Sequence, residues 1–226
     1  MLEIIYQDEY MVAINKPHGL LVHRSPIASE VQEFALQLLR DQIQKKVFPV
    51  HRLDRKTSGI LVFALSGEVA SKIQAIMEHS ETQKIYLAIV RGHFPGEVDL
   101  DYPLTNDRGK LQEAFTSFKT LRHTELAIPL GKFLTSRYSL IEAYPKTGRM
   151  HQIRKHLGHL RYPIIGDRPH GCNKQNKMFK ERWNMMTMLL HAQEFRMVHP
   201  VTGEPLVLRA KKYPVFEEMI NTLELA

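Results

Sequence analysis

Hydrophobic and polar positions alternate with a period of two through much of this chain and shift to the helical period in a few stretches. Ile4, Ile5 and Tyr6, then Met11 to Ile14, flank the polar Gln7-Asp8-Glu9 and predict a hairpin. Lys16-Pro17-His18-Gly19 is a punctuated loop, because proline and glycine both resist strand continuation. Ser29 followed by Gln32 has the form of a capping box. The helix behind it would carry Val31, Phe34, Ala35 and Leu38 on one face. Val47 to Val50 is a short strand, HRLDRKTSG (51–59) a polar loop, and Ile60 to Leu65 an apolar run suited to a buried central strand. Ser66 opens a second helix with Val69, Ile73, Ile76 and Met77 inward.

In the strand predicted from Lys84 to Gly92, Lys84, Tyr86, Ala88 and Val90 share a face. Residues 97–104, 114–121 and 134–144 also read as strands, with Thr105 to Lys110 as a loop. A helix from about Met150 to Leu160 follows the Thr147-Gly148-Arg149 turn, and 172–188 reads as helical. Phe195 to His199 and Leu206 to Ala210 form a second hairpin before a last helix that buries Val215, Phe216, Met219, Ile220 and Leu223. Helices that interrupt strands irregularly, with recurrent hairpins, predict a mixed or antiparallel α+β fold rather than a doubly wound parallel sheet.

Composition narrows the function classes. At 226 residues, 43% hydrophobic and 24% charged, the chain suits one domain with a substantial core. The single Cys172 excludes an intramolecular disulfide framework and any multi-cysteine metal site. No apolar run reaches the ~18–20 residues of a transmembrane helix. Glu3, Asp8 and Glu9 occupy the place of a signal peptide's apolar core, so a soluble, cytoplasmic protein is expected. The net charge of +7 makes a polyanion a candidate partner, against the plainer reading that it serves solubility.

Two segments concentrate chemistry. In HRLDRKTSG, Asp54 lies among His51, Arg52, Arg55 and Lys56. Cations that close favour an ionised carboxylate able to act as nucleophile or base, while the neighbours grip phosphate. The competing reading is a surface salt-bridge loop. In TGRMHQIRKHLGHLR (147–161) the helical wheel puts Met150, Ile153, Leu157 and Leu160 in a buried stripe with Arg154 at its edge. There Arg154 would need a carboxylate or phosphate, or would snorkel over apolar surface. Arg149, Lys155 and Arg161 can face a polyanion. His151, His156 and His159 lack the i, i+4 spacing of a zinc helix and have no nearby acid, so no metal is expected. Glycine-rich phosphate fingerprints and a GxSxG elbow are absent. Tyr86 by itself reads as core or cross-strand packing rather than as a catalytic group.

Six ordered blocks, INKPHGLLVH (14–23), HRLDRKTSGILVFA (51–64), QKIYLAIVRG (83–92), TGRMHQIRKHL (147–157), YPIIGD (162–167) and LLHAQEFRMVHPVTGEPL (189–206), resemble the motifs of the RluA-type pseudouridine synthases. The resemblance implies a mixed, largely antiparallel bent sheet with flanking helices and a central cleft. It further implies a single catalytic domain over 1–226, without the N-terminal RNA-binding domain of some relatives, and a cofactor-free isomerisation of uridine to pseudouridine. Matched residue by residue, Asp54 is the essential aspartate, acting on C1′, on the uracil ring or on the C2′ proton. Tyr86 packs on the target base, Arg154 pairs with the aspartate, and Arg52 helps displace the target nucleotide. Lys16, Arg52, Arg55, Arg149, His151 and Lys155 are the candidate RNA-contacting residues. The RDQIQKKVFPV and HGCNKQNKMF stretches are similar to the branch that acts on a uridine in the T stem of tRNA, uridine 65. Ribosomal RNA is the alternative substrate, and no protein partner is implied. Two other classes remain: a non-catalytic RNA-binding module, and a glycoside hydrolase with Glu142 as its second carboxylate. Residues 107–133 match no motif.

Overall fold

The chain opens with a hairpin of β1 (Glu3–Gln7) and β2 (Met11–Lys16), paired antiparallel with Ile4 opposite Ile14. Asp8 closes its turn. One carboxylate oxygen accepts the Tyr10 and Met11 amides, and the other accepts the Tyr6 hydroxyl. The computed structural model describes residues 1–23, 33–78 and 82–226. The capping box at Ser29 and Gln32, with Val31, lies outside them. Helix α1 (Ala35–Ile43) follows. Then come β3 (Phe48–Pro49), the 51–57 loop, β4 (Ser58–Ala64) and α2 (Gly67–Ile76). The Ser66 hydroxyl caps α2 by accepting the Val69 amide at 3.2 Å.

Next are β5 (Gln83–Arg91), β6 (Glu97–Asp101), and the ribbon of β7 (Leu104–Thr105) and β8 (Leu111–Gln112). The long strands β9 (Phe115–Leu126) and β10 (Ser136–Pro145) precede α3 (Gln152–His159) and α4 (Asn173–Trp183). The chain ends with β11 (Leu190–Val198), β12 (Pro205–Arg209) and α5 (Pro214–Thr222).

These elements form two compact units. In the first, residues 1–84 and 192–212, the strand order is β1-β2-β4-β11-β12, with β3 also on β4. Every residue of β4 is buried, as its apolar run predicts for a central strand. Gly59, at φ +106, is required there: a Cβ would stand 2.2 Å from the Ala192 carbonyl oxygen. Met11, Ala13, Ile60, Val62 and Phe195 pack with Val69 and Ile73 of α2. In the second unit, residues 85–191 and 213–226, the order is β5-β10-β9-β6. The two-residue period of β5 divides its side chains. Leu87 and Ile89 join Phe179 of α4 and Phe216 of α5, while Ala88 and Val90 join Ile153 and Leu157 of α3. The β1–β2, β2–β4, β5–β10, β9–β10, β6–β9 and β11–β12 pairings are all antiparallel, and the fold is α+β.

Two expectations shift, and a third, the loop, gains detail. The 105–110 loop is the tip of the β7–β8 ribbon, closed by the Asn106 side chain, which accepts the Arg108 and Lys110 amides. β9 runs on to Leu126 because β10 pairs with it along ten register positions, a long-range match invisible to local periodicity. α4 stops at Trp183, short of 188, because Asn184 turns left-handed at φ 50 and caps it.

Candidate active site

In the first unit the loop that carries Asp54 is fixed at both ends. At its start the His51 ring nitrogen Nε2 accepts the Val62 amide of β4 at 3.1 Å. That bond requires an unprotonated Nε2. Burial, then the Lys84 charge, pulls His51 down to about 4, against an opposing hydrogen bond to the Arg52 backbone. Leu53 is buried beneath the loop, whereas Arg52 and Arg55 are exposed and Asp54 half-buried. The Asp54 carbonyl accepts the Thr57 amide at 3.0 Å, which makes a tight turn into β4.

Arg55 ties this turn to the loop after β2. Its carbonyl accepts the Gly19 amide at 2.8 Å, and its Nε donates to the Gly19 carbonyl at 2.9 Å. Lys16 binds the same two loops from inside. It has no solvent exposure, and its Nζ donates to the carbonyls of Pro17 (2.9 Å), Leu20 (2.8 Å) and Arg55 (3.3 Å). Burial lowers its ammonium to about 7, opposed by the attraction of the Asp54 charge. Expected among the RNA-contacting residues, Lys16 is instead an internal cation, and phosphate cannot reach it. The half-buried His18 is pushed down to about 4 by burial and then by the charges of Lys16, Lys56 and Arg55, so the loop is strongly cationic.

In the second unit Tyr86 is half-buried on β5, opposite Ala143 of β10, at the margin of the cluster formed with α3. Arg154, on α3, is more deeply placed than the edge of a stripe. It is 5% exposed, and its fork meets the Asp167 carboxylate in two parallel bonds, Nε to Oδ2 at 2.8 Å and Nη2 to Oδ1 at 2.9 Å. Burial raises the Asp167 carboxyl, but the hydrogen bonds and charge of Arg154, aided by His170, bring it below the usual carboxylate range.

The chain around Asp167 is itself held. Asn176 of α4 donates to the Asp167 carbonyl at 2.7 Å and accepts the Gly166 amide at 2.9 Å. Gly166, at φ +82, has no room for a Cβ, which would lie 2.0 Å from the Thr187 carbonyl oxygen. Asp167 and Asn176 are the residues that sequence reasoning missed. YPIIGD was visible as a block, but nothing local says that its acid turns back onto α3.

The remaining candidates have defined places. His151 caps α3 in the left-handed conformation at φ 56, its Nδ1 3.0 Å from Nε2 of His170. Arg149 Nε donates to the Glu113 carbonyl at 2.9 Å, and Lys155 Nζ to the Thr105 carbonyl at 3.1 Å. His156 bridges Thr116 and the Tyr102 carbonyl, and His159 stacks on Tyr102. Glu142, the alternative second carboxylate, accepts the Tyr144 hydroxyl. The structure therefore groups Asp54 with Arg52, Arg55 and Lys16 in one unit, and Tyr86 with Arg154, Arg149, His151 and Lys155 in the other.

An α+β fold with an anchored cationic aspartate loop and a buried arginine fork is the setting in which the comparisons fall. The RNA pseudouridylate synthase family model matches residues 10–159, and the chain belongs to that family. It is 48% identical to tRNA pseudouridine synthase C of Vibrio cholerae over 98% of this chain and 95% of that protein. It is 44% identical to tRNA pseudouridine synthase C of Salmonella typhimurium over 93% and 85%. Among solved structures, human RNA pseudouridylate synthase domain containing 4 superposes with a TM-score of 0.73 at 25% identity, covering 98% of this chain and 93% of that one. Domain containing 1 of the same human series gives 0.74 at 21% identity over 100% and 96%, a likeness of fold.

Proposed function

We propose that this family member isomerises a uridine of tRNA to pseudouridine, at a T-stem position (uridine 65), with Asp54 as the reacting carboxylate. The reaction breaks the N1–C1′ bond, turns the uracil and joins C5 to C1′. The C5 proton is lost and N1 gains one, so atoms and charge balance within the substrate and no external group is consumed. The observation that carries this reading is the half-buried Asp54 in a loop pinned by His51, Arg55 and Lys16. Such anchoring suits a group that must meet one atom of a flipped nucleotide, and a salt-bridge loop has no need of it. The near full-length likeness to tRNA-named relatives supports the substrate.

Extruding a base costs a few kcal/mol, which exposed Arg52 and Arg55, with Arg149, His151 and Lys155, offset by gripping phosphates. Tyr86 packs on the extruded base. Arg154, held by Asp167, presents a fixed positive charge to the reacting carboxylate. The protein works as a monomer in the cytoplasm. Among the described residues no helix is long and apolar enough to cross a membrane.

The test is pseudouridine mapping on total RNA incubated with wild type and with Asp54→Asn. Wild type should modify tRNA at one T-stem position. Asp54→Asn keeps the shape of the side chain but loses its charge, so turnover should fall by at least about 10³-fold while tRNA affinity stays within a few-fold. Product confined to ribosomal RNA would overturn the substrate. Near wild-type turnover by Asp54→Asn would overturn its role, and release of free uracil would indicate hydrolysis.

A further inference from the structure

The second unit carries a groove of about 830 Å³ at the far end of β5, between the β9–β10 connection and the start of α4. Its lining includes Arg91, Lys132, Arg137 and Lys174 and no carboxylate. Arg137 is paired with Glu125 at 3.0 Å, so the other three cations set the local field. Beside them Phe133 and Leu134 are 57% and 84% exposed. The segment that presents them is built. Leu130 and Phe133 exchange backbone hydrogen bonds of 3.0 and 3.3 Å around Gly131, and the Ser136 hydroxyl donates to the Ile128 carbonyl at 2.8 Å. An ordered turn that exposes an aromatic ring among cations matches the recognition of unpaired nucleic acid, in which phosphates meet Lys and Arg and a base stacks on the ring.

We infer that this groove is a second RNA-docking surface, which takes an unpaired stretch of the substrate RNA away from the target uridine. Phosphates lie against Arg91, Lys132 and Lys174, and a base stacks on Phe133. The inference rests on the uridine-isomerising reading of the chain, with Tyr86 at the target base. Arg91 is five residues along β5 from Tyr86, roughly 16 Å at ~3.3 Å per residue, so the nucleotide being isomerised cannot itself fill the groove. The groove therefore selects RNAs by what lies beyond the target stem.

The test compares intact tRNA with a short hairpin that contains the target uridine but is too small to span that distance. Two variants of exposed side chains are used, Lys132→Glu/Lys174→Glu and Phe133→Ala. On intact tRNA the double charge reversal should weaken affinity by more than about tenfold and flatten the log–log salt dependence by roughly 1.4, two single-strand contacts at ~0.7 each. Phe133→Ala should cost about tenfold with the salt slope unchanged. Neither should alter hairpin turnover or the saturated rate on tRNA. The milder Lys132→Gln/Lys174→Gln, with circular dichroism of each variant, guards against misfolding. Wild-type affinity for intact tRNA in the folded variants would overturn the inference. Equal losses on tRNA and hairpin would overturn it by placing the defect at the target nucleotide. If wild type forms no pseudouridine in any RNA, the functional reading fails, and tRNA affinity still decides the groove.

Discussion

Each unit buries a cation, and the two are neutralised in different ways. Lys16 is surrounded by the neutral carbonyls of Pro17, Leu20 and Arg55, whereas Arg154 meets the full charge of Asp167. The consequences follow from the side chains. An ammonium is a point charge that can yield its proton, so burial without a bonded carboxylate brings Lys16 to about 7. A guanidinium stays protonated, so around Arg154 the carboxylate adjusts, and Asp167 falls below its usual range. Lys16 suits a clasp that gathers two loops beneath Asp54. Arg154 suits a charge of fixed sign and orientation.

Removing Asp167 tests that contrast most severely. Asp167→Ala removes the carboxylate that meets both arms of the buried Arg154 fork and should cost about 3–5 kcal/mol in urea unfolding. A loss under about 1 kcal/mol would show the fork to be held otherwise. Lys16→Met orphans neutral carbonyls while relieving the burial of a charge, so a smaller loss is expected, about 1–3 kcal/mol. A loss equal to that of Asp167→Ala would erase the distinction.

His51 adds a half-buried neutral group to the comparison. Its folded-state pKa lies below its unfolded value, so its stabilisation is complete above about pH 6.5 and is lost as pH falls toward 4. With these two values the stability lost by pH 5 is roughly 2 kcal/mol. Urea midpoints of wild type and His51→Gln should therefore converge between pH 7 and 5, and parallel curves would refute a lowered His51 pKa in the folded state. The smallest expected effect is on salt. Lys16→Met should leave the log–log salt dependence of RNA affinity unchanged, while Arg55→Ala lowers it by about 0.9. A lowered slope for Lys16→Met would return that residue to the phosphate interface.

Much of the architecture was legible in the sequence because it rests on local patterns. The continuous run Ile60 to Leu65 announced a central strand, and alternation along β5 separated Leu87 and Ile89 from Ala88 and Val90. Ser66 marked the start of α2. An element that depends on a distant partner was misjudged: β9 extends because β10 lies beside it. The helical wheel put Arg154 at the edge of the buried stripe in need of an anionic partner, which it has, but could give neither its depth nor that partner, for the same reason. A wheel distinguishes apolar from polar faces, and it cannot show that residues 162–171 cover the polar side and bring an acid with them.

The sequence by itself determined the α+β class, the family and the identity of Asp54 as the carboxylate among cations, since composition, period and motif order are properties of the chain. Which cations face solvent was decided only by the tertiary structure. Lys16, Arg55 and Arg154 are all basic residues in motif blocks, and no local pattern separates them. Burial and partner do: Arg55 stays exposed, Lys16 turns inward onto carbonyls contributed by residues 17, 20 and 55, and Arg154 closes on Asp167 thirteen residues away. A buried charge is tolerated only where folding brings donors and acceptors to it, and those groups come from segments whose meeting is not written in either of them.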